Sequence, residues 1–166
     1  MKNRTTVAIT GHRDMVETKE LGQKVSAFFD GLREQNQEIV LLSPLADGAD
    51  RFVAEIFLQK QKEYGHLSLI VPMPFDKKRY MEDFDEASKK DFLKLLTKSD
   101  NVFEVEHQTD SGYLDVGRYV VDHAEILLAL WDGTYNGKIG GTGEVVEYAK
   151  NNGHEVVHFL CERENG

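Results

Sequence analysis

A chain of 166 residues fits one domain, long enough to bury a core without disulfides or a structural metal. Apolar residues make up 40% and charged residues 30%, which excludes a disordered or low-complexity chain. Lys and Arg number 20 against 29 Asp and Glu, and the net charge of −9 sets the domain against long nucleic acid while leaving room for a small phosphate-bearing ligand in a locally positive site.

In chain order, the first strand candidate is 5–10, around the short apolar run Val7-Ala8-Ile9. Leu21, Val25, Phe28, Phe29 and Leu32 then recur at helical steps and predict a helix over 17–35 with one apolar stripe. A second strand, 38–42, leads to a helix that follows Asp47, with Ala49, Phe52, Val53 and Ile56 on its inner face. Strand 67–71 comes next, then 77–97 as two helical pieces with Phe84, Phe92, Leu95 and Leu96 inward. Strand 101–105, a helix over 112–124 burying Val116, Tyr119 and Val120, strand 125–131, a helix from Thr142 carrying Val145, Val146 and Ala149, and strand 155–160 complete the order. Strands alternating with helices predict an α/β, Rossmann-like three-layer sandwich: a mostly parallel sheet of about six strands with helices on both faces. The continuous apolar runs 67–71 and 126–130 are those of strands buried on both sides. One domain over 1–166 is expected.

In such folds the ligand sits beyond the carboxyl ends of the strands, so the loops there supply the candidates. After the first strand, Thr10-Gly11-His12-Arg13-Asp14 offers a glycine for close approach and two donor side chains, His12 and Arg13. After the second, Ser43-Pro44-Leu45-Ala46-Asp47-Gly48-Ala49-Asp50-Arg51 offers Ser43, Leu45, Ala46, Gly48 and Arg51 to a ligand. In that loop Asp47 reads equally as the helix N-cap, and Asp50 as a first-turn acid facing the dipole. Met73 and Phe75 follow the third strand, where Phe75 or Tyr80 offers a ring to a base. Arg118, on the helix before the fifth strand, is a candidate to reach a phosphate. The fifth loop carries most chemistry: Asp132 and Gly133 begin it, and Gly140-Gly141-Thr142-Gly143-Glu144 ends it at a helix start. Consecutive glycines before a helix N-terminus leave amides free for an anion, with Thr142 as cap and phosphate donor and Glu144 near a ribose hydroxyl. The segment is neither a Walker A loop nor a dinucleotide Gly-x-Gly-x-x-Gly.

Six scattered histidines show no metal-ligand spacing, so no metal is expected. The single cysteine, Cys161, reads as a small packing residue and points to a reducing compartment. The apolar run near the start is too short for a signal-peptide core or a bilayer span, so a cytoplasmic location and no membrane partner are expected.

Four segments in order resemble the SLOG superfamily, which gathers SMF/DprA-like and LOG-type Rossmannoid domains. They are Gly11-His12-Arg13-Asp14, the 43–50 loop, 122–133 and 140–149, and together they run over about 7–160. The look is nearest to the branch attached to TIR, SIR2 or membrane modules in bacterial defence proteins and related to melastatin-type channels. That resemblance implies a sensor of a nucleotide-derived signal such as cyclic ADP-ribose or an isomer, with no further cofactor, working as a homo-oligomer. The alternative it implies is a LOG-like nucleoside 5′-monophosphate N-glycosidase. LOG enzymes place a glutamate three residues after the threonine of the glycine motif; here that position is Val145, and the nearest carboxylates, Glu144 and Glu147, are the weak catalytic candidates. A one-residue offset turns a helical side chain by roughly 100°. The third branch activity, single-stranded DNA binding, is opposed by the net charge of −9.

Overall fold

The computed structural model describes residues 2–164. Met1, Asn165 and Gly166, within the single domain expected over 1–166, lie outside the described residues. Six strands, β1 (Lys2–Gly11), β2 (Asn36–Leu42), β3 (Leu67–Met73), β4 (Asn101–Glu104), β5 (Ile126–Trp131) and β6 (Glu155–Leu160), form one sheet in the order β4-β3-β2-β1-β5-β6. Every strand pair in it is parallel. The connecting helices are α1 (Lys19–Gln35), α2 (Ala49–Tyr64), α3 (Lys77–Met81), α4 (Glu86–Leu96), α5 (Gly112–Asp122) and α6 (Thr142–Asn151).

Side-chain alternation along each strand sorts the core into two layers. Val7, Ile9, Ile39, Leu41, Leu69, Val71, Leu128 and Leu130 point to the face covered by α1, α2 and the α3–α4 pair. Ala8, Val40, Leu42, Leu127 and Ala129 point to the opposite face, under Val120 and Val121 of α5 and Val145, Val146 and Ala149 of α6. Right-handed crossovers dictate this division. Steps from β1 out to β4 place their helices on one side, and the return to β5 and the step to β6 place theirs on the other.

The α1 stripe buries Leu21, Val25 and Phe29, and Thr18 caps that helix by accepting the Leu21 amide at 3.1 Å. The inner face of α2 differs from expectation. Val53, Ala54, Phe57 and Leu58 are buried, while Phe52 and Ile56 are only partly covered. Those two side chains lie over Gly22 and fill the seam between α1 and α2, so the helix is rotated toward its neighbour. Asp47 is not the cap of α2 either. Gly48 holds that place without a side-chain bond, and Asp47 instead pairs with Arg51 at 3.0 Å.

Gly48 is where the loop after β1 meets the start of α2. Its φ is +81°, and a Cβ there would lie 2.4 Å from the carbonyl oxygens of His12 and Arg13. The next amide, Ala49, donates to the His12 carbonyl at 3.1 Å. Gly48→Ala is therefore expected to cost more than about 2 kcal/mol. Gly31→Ala, on α1 with open space at the Cβ position, is expected to gain up to about 1 kcal/mol from helix propensity. Denaturant titration of both variants checks the pair; equal effects would show that the Gly48 contact does not hold the loop.

Candidate functional site

Strand order reverses between β1 and β5, because α1 leaves β1 toward one face and α6 follows β5 on the other. The two loops part there and leave a crevice at the strand C-termini. A cavity of about 290 Å³ occupies it. Its floor is apolar, formed by Ile9 of β1, Val116 and Val120 of α5 and Val145 of α6. Gly117 lets α5 and α6 close up under it, since a Cβ there would meet Val145 at 2.8 Å.

The wall from the loop after β1 carries Thr10, Gly11, His12, Arg13 and Asp14. Gly11 is required by packing, since a Cβ would stand 2.3 Å from that of Ala49 and 2.8 Å from the Leu130 carbonyl oxygen. His12 is a latch between the two loops. Its Nε2 accepts the Asp132 amide at 3.1 Å and lies 3.3 Å from Asp132 Oδ1. An accepting Nε2 puts the ring proton on Nδ1. Burial lowers the His12 pKa against the opposing pull of Asp132, which favours the neutral ring. Asp132 is itself held below the ordinary carboxylate range, first by the Thr134 amide and then by His12. Arg13 lies with its guanidinium 4.5 Å from the centre of the Tyr113 ring, whose hydroxyl donates to Asp83.

The opposite wall is the loop after β5 and the start of α6, with Thr134, Asn136, Lys138, Ile139, Gly140, Gly141, Thr142 and Gly143 on the cavity. Asn136 and Asp132 side chains accept the amides of Lys138 and Thr134, each two residues on, and shape the loop into successive turns. Gly140 has φ +74° and lies against the backbone of Leu114, so no other residue fits there without displacement. Thr142 is the first residue of α6 and not its cap; Gly141 holds the cap position with no side-chain bond. The amides of Thr142, Gly143 and Glu144 thus begin the helix without intrahelical acceptors. A third cation, Arg163, is brought in by the tail, which bridges Met15 and pairs Arg163 Nε with Asp14 at 2.9 Å.

Of the residues singled out in sequence, the cavity gathers Gly11, His12, Arg13, Ala46, Tyr80, Gly140, Gly141, Thr142 and Gly143. It is not lined by the others. Ser43 is fully buried, its Oγ accepting the Leu45 amide at 3.1 Å and supporting the positive φ of that residue. Arg51 is a strut, donating to the Leu45 carbonyl and to Ser88 and lying over Phe84. Asp47 and Gly48 face the α2 junction already described, and Met73 is core. Phe75 packs edge-on to Tyr113. Arg118 is exposed over the Tyr148 ring, on the far side of α5. Gly133 is a turn residue, Glu144 is half-buried in the first turn of α6, and Glu147 is exposed. Cys161 is buried, which pushes its thiol up to about 11. No group of side chains suited to a metal ion exists among the described residues.

Sequence reasoning passed over Asp50, Tyr113, Lys138 and Arg163 as wall residues. Tyr80 is fully buried among Phe84 and Phe92 and donates to the Pro44 carbonyl at 2.9 Å. Asp50 lies beside it at the start of α2, its carboxyl pushed up to about 7 by burial, against the pull of the Ala46 amide, Arg13 and Arg51. The fold therefore binds this proton more tightly than the open chain, whose carboxylate ionises near 3.8. Stability from this group is present at low pH and is lost as pH rises through 7. Asp50→Asn, neutral at every pH, is expected to exceed the parent by a margin that opens above about pH 4, grows up to pH 7 and then levels off, on the order of 4 kcal/mol at most. Thermal denaturation of both at pH 5, 6, 7 and 8 checks this; a constant difference across the range would refute the raised ionisation.

The sequence model of the YspA SLOG family (YpsA) matches residues 8–161. A UPF0398 protein from Bacillus pumilus (strain SAFR-032) is 30% identical over 121 residues, 71% of this chain and 61% of that protein, so the chain spans under two thirds of that relative's length. Among solved structures, the nicotinamidase SaPncA from Staphylococcus aureus aligns over 95% of this chain and all of its own at 16% identity. Its TM-score of 0.38 is too low to bear on topology or chemistry. No described helix is long and apolar enough to cross a membrane. The segments that resembled the SLOG superfamily lie inside the matched span, and the chain belongs to the YspA SLOG family.

Proposed function

We propose that this domain binds a nucleotide-derived small molecule at the β1–β5 crevice and acts as a sensor of it. The observation that carries this reading is one cavity that joins the uncapped first turn of α6 to Arg13, Lys138 and Arg163. Free amides at the positive end of a helix and nearby cations suit a phosphate, and the apolar floor suits the body of a nucleoside. A volume of about 290 Å³ lies at the low end for ligand sites, so a nucleoside monophosphate fills it. A larger ligand, such as ADP-ribose or the cyclic isomers sensed in the TIR- and SIR2-associated branch, extends outward past Ile139 and Tyr135, both exposed. Shared SLOG membership supports this class of ligand without naming it.

The glycosidase alternative draws less support from the geometry. Val145 takes the position of the LOG glutamate and puts a buried apolar side chain, not a carboxylate, in the cavity floor. Neither Glu144 nor Glu147 lines the cavity. AMP incubated with the protein is expected to release no adenine in a chromatographic time course. Release that Glu144→Gln or Glu147→Gln abolishes would put the enzyme first.

Binding itself is tested by calorimetric titration with inorganic phosphate, AMP, ADP-ribose and its cyclic isomers. Arg13→Ala and Lys138→Ala are each expected to weaken AMP binding by about 10-fold or more, the loss of a charged hydrogen bond. Arg118→Ala, on the far side of α5, is expected to leave it unchanged. Equal losses in all three variants would place the phosphate elsewhere.

A further inference from the structure

Asp50 is only 7% exposed, yet it lines the cavity. Its Oδ2 accepts the Ala46 amide at 3.1 Å. Among the described residues no donor bonds Oδ1, and that atom is not sealed in the interior either. The sealed polar side-chain atoms without a partner belong to Arg33, Asn36 and Arg51. Oδ1 therefore opens on the cavity as an unused acceptor.

We propose that Asp50 is the specificity-determining acceptor of this site, taking the hydroxyls of a ribose held in the cavity. The inference rests on the nucleotide reading above and goes on to fix the ligand's direction within the site. The groups around Asp50 leave the place to a ligand. Arg51, its neighbour on α2, is committed to Leu45, Ser88 and Asp47. Tyr80 of α3 donates to Pro44, and Tyr113 of α5 to Asp83. Arg13, from the loop after β1, lies over the Tyr113 ring. A phosphate is repelled from a carboxylate and favours the α6 end, with Lys138. The sugar follows a 5′-phosphate in the molecule, and its hydroxyls are the first donors a carboxylate meets.

A buried acceptor left unpaired discriminates strongly against a ligand lacking the donor. At pH 8, calorimetric titration compares AMP with 2′-deoxy-AMP on the parent chain, Asp50→Asn and Asp50→Ser, each first shown by circular dichroism to be folded. The parent is expected to prefer AMP by about 10- to 100-fold. Both variants are expected to bind the two nucleotides within about threefold of each other, with inorganic phosphate competing as in the parent. A parent without preference, or a variant that keeps the parent's full preference, overturns the assignment of Asp50 and leaves the phosphate site standing. Failure of the parent to bind phosphate, AMP and ADP-ribose overturns both readings. Should Asp50→Asn not fold, Asp50→Ser and the parent's own preference decide.

Discussion

The pairing of β1 with β2 on one side and β5 on the other sets where chemistry can take place in this molecule. Parallel strands need long crossovers, and those leaving β1 and β5 must go to opposite faces to stay right-handed. Their first residues diverge, and the backbone there has no sheet neighbour above it. The protein closes this gap from three directions: the His12–Asp132 latch, the Gly48 contact with the His12 and Arg13 carbonyls, and the tail that brings Arg163 to Asp14. What remains open is the cavity. Its position follows from strand order, and its lining follows from which short segments can make those three contacts.

Asp50 and Arg51 show how adjacent residues on one helix meet different surroundings. A step of about 100° sends them in different directions. Arg51 finds a carbonyl, a serine, a carboxylate and two aromatic faces, and serves as a buried strut. Asp50 finds one amide and open space. A carboxyl left so poorly solvated costs stability once it ionises, and such groups are concentrated at functional sites, although structural networks hold them too. The acid that weakens the fold at neutral pH is therefore a wall group that a hydrogen-bond donor would relieve.

The fold was legible in the residues because its signals are local and repeated. β-branched runs marked all six strands, and helical stripes marked α1, α5 and α6. The rotation of α2 was hidden because Phe52 and Ile56 are as apolar as Val53 and Phe57, and periodicity cannot separate the seam with a neighbouring helix from the sheet face. The glycines and Arg13 of the cavity wall were legible from loop position. Asp50 was not, since a first-turn acid has the same sequence signature whether it faces water or a cavity. Arg163 had no local signal at all; its place depends on the tail pairing with a loop some 150 residues earlier. A strand-end loop narrows the search, but only packing decides which of its side chains turn outward, as the inward Ser43 shows.

The acidity of the whole chain and the cationic wall are parts of one arrangement. At physiological ionic strength a charge is screened within about 8 Å, so distant surface carboxylates act weakly inside a lined crevice. There Arg13, Lys138 and Arg163 face two carboxyls, of which Asp14 is bonded to Arg163 and Asp50 holds its proton until about pH 7. A small anion that enters meets this local field and the α6 amides. A nucleic-acid strand, too long to leave the surface behind, meets the net charge of −9 as well. On the reading proposed above, the residues that take one phosphate group sit in a protein whose net charge of −9 opposes a chain of them, so that size, not charge sign alone, would separate the two kinds of ligand.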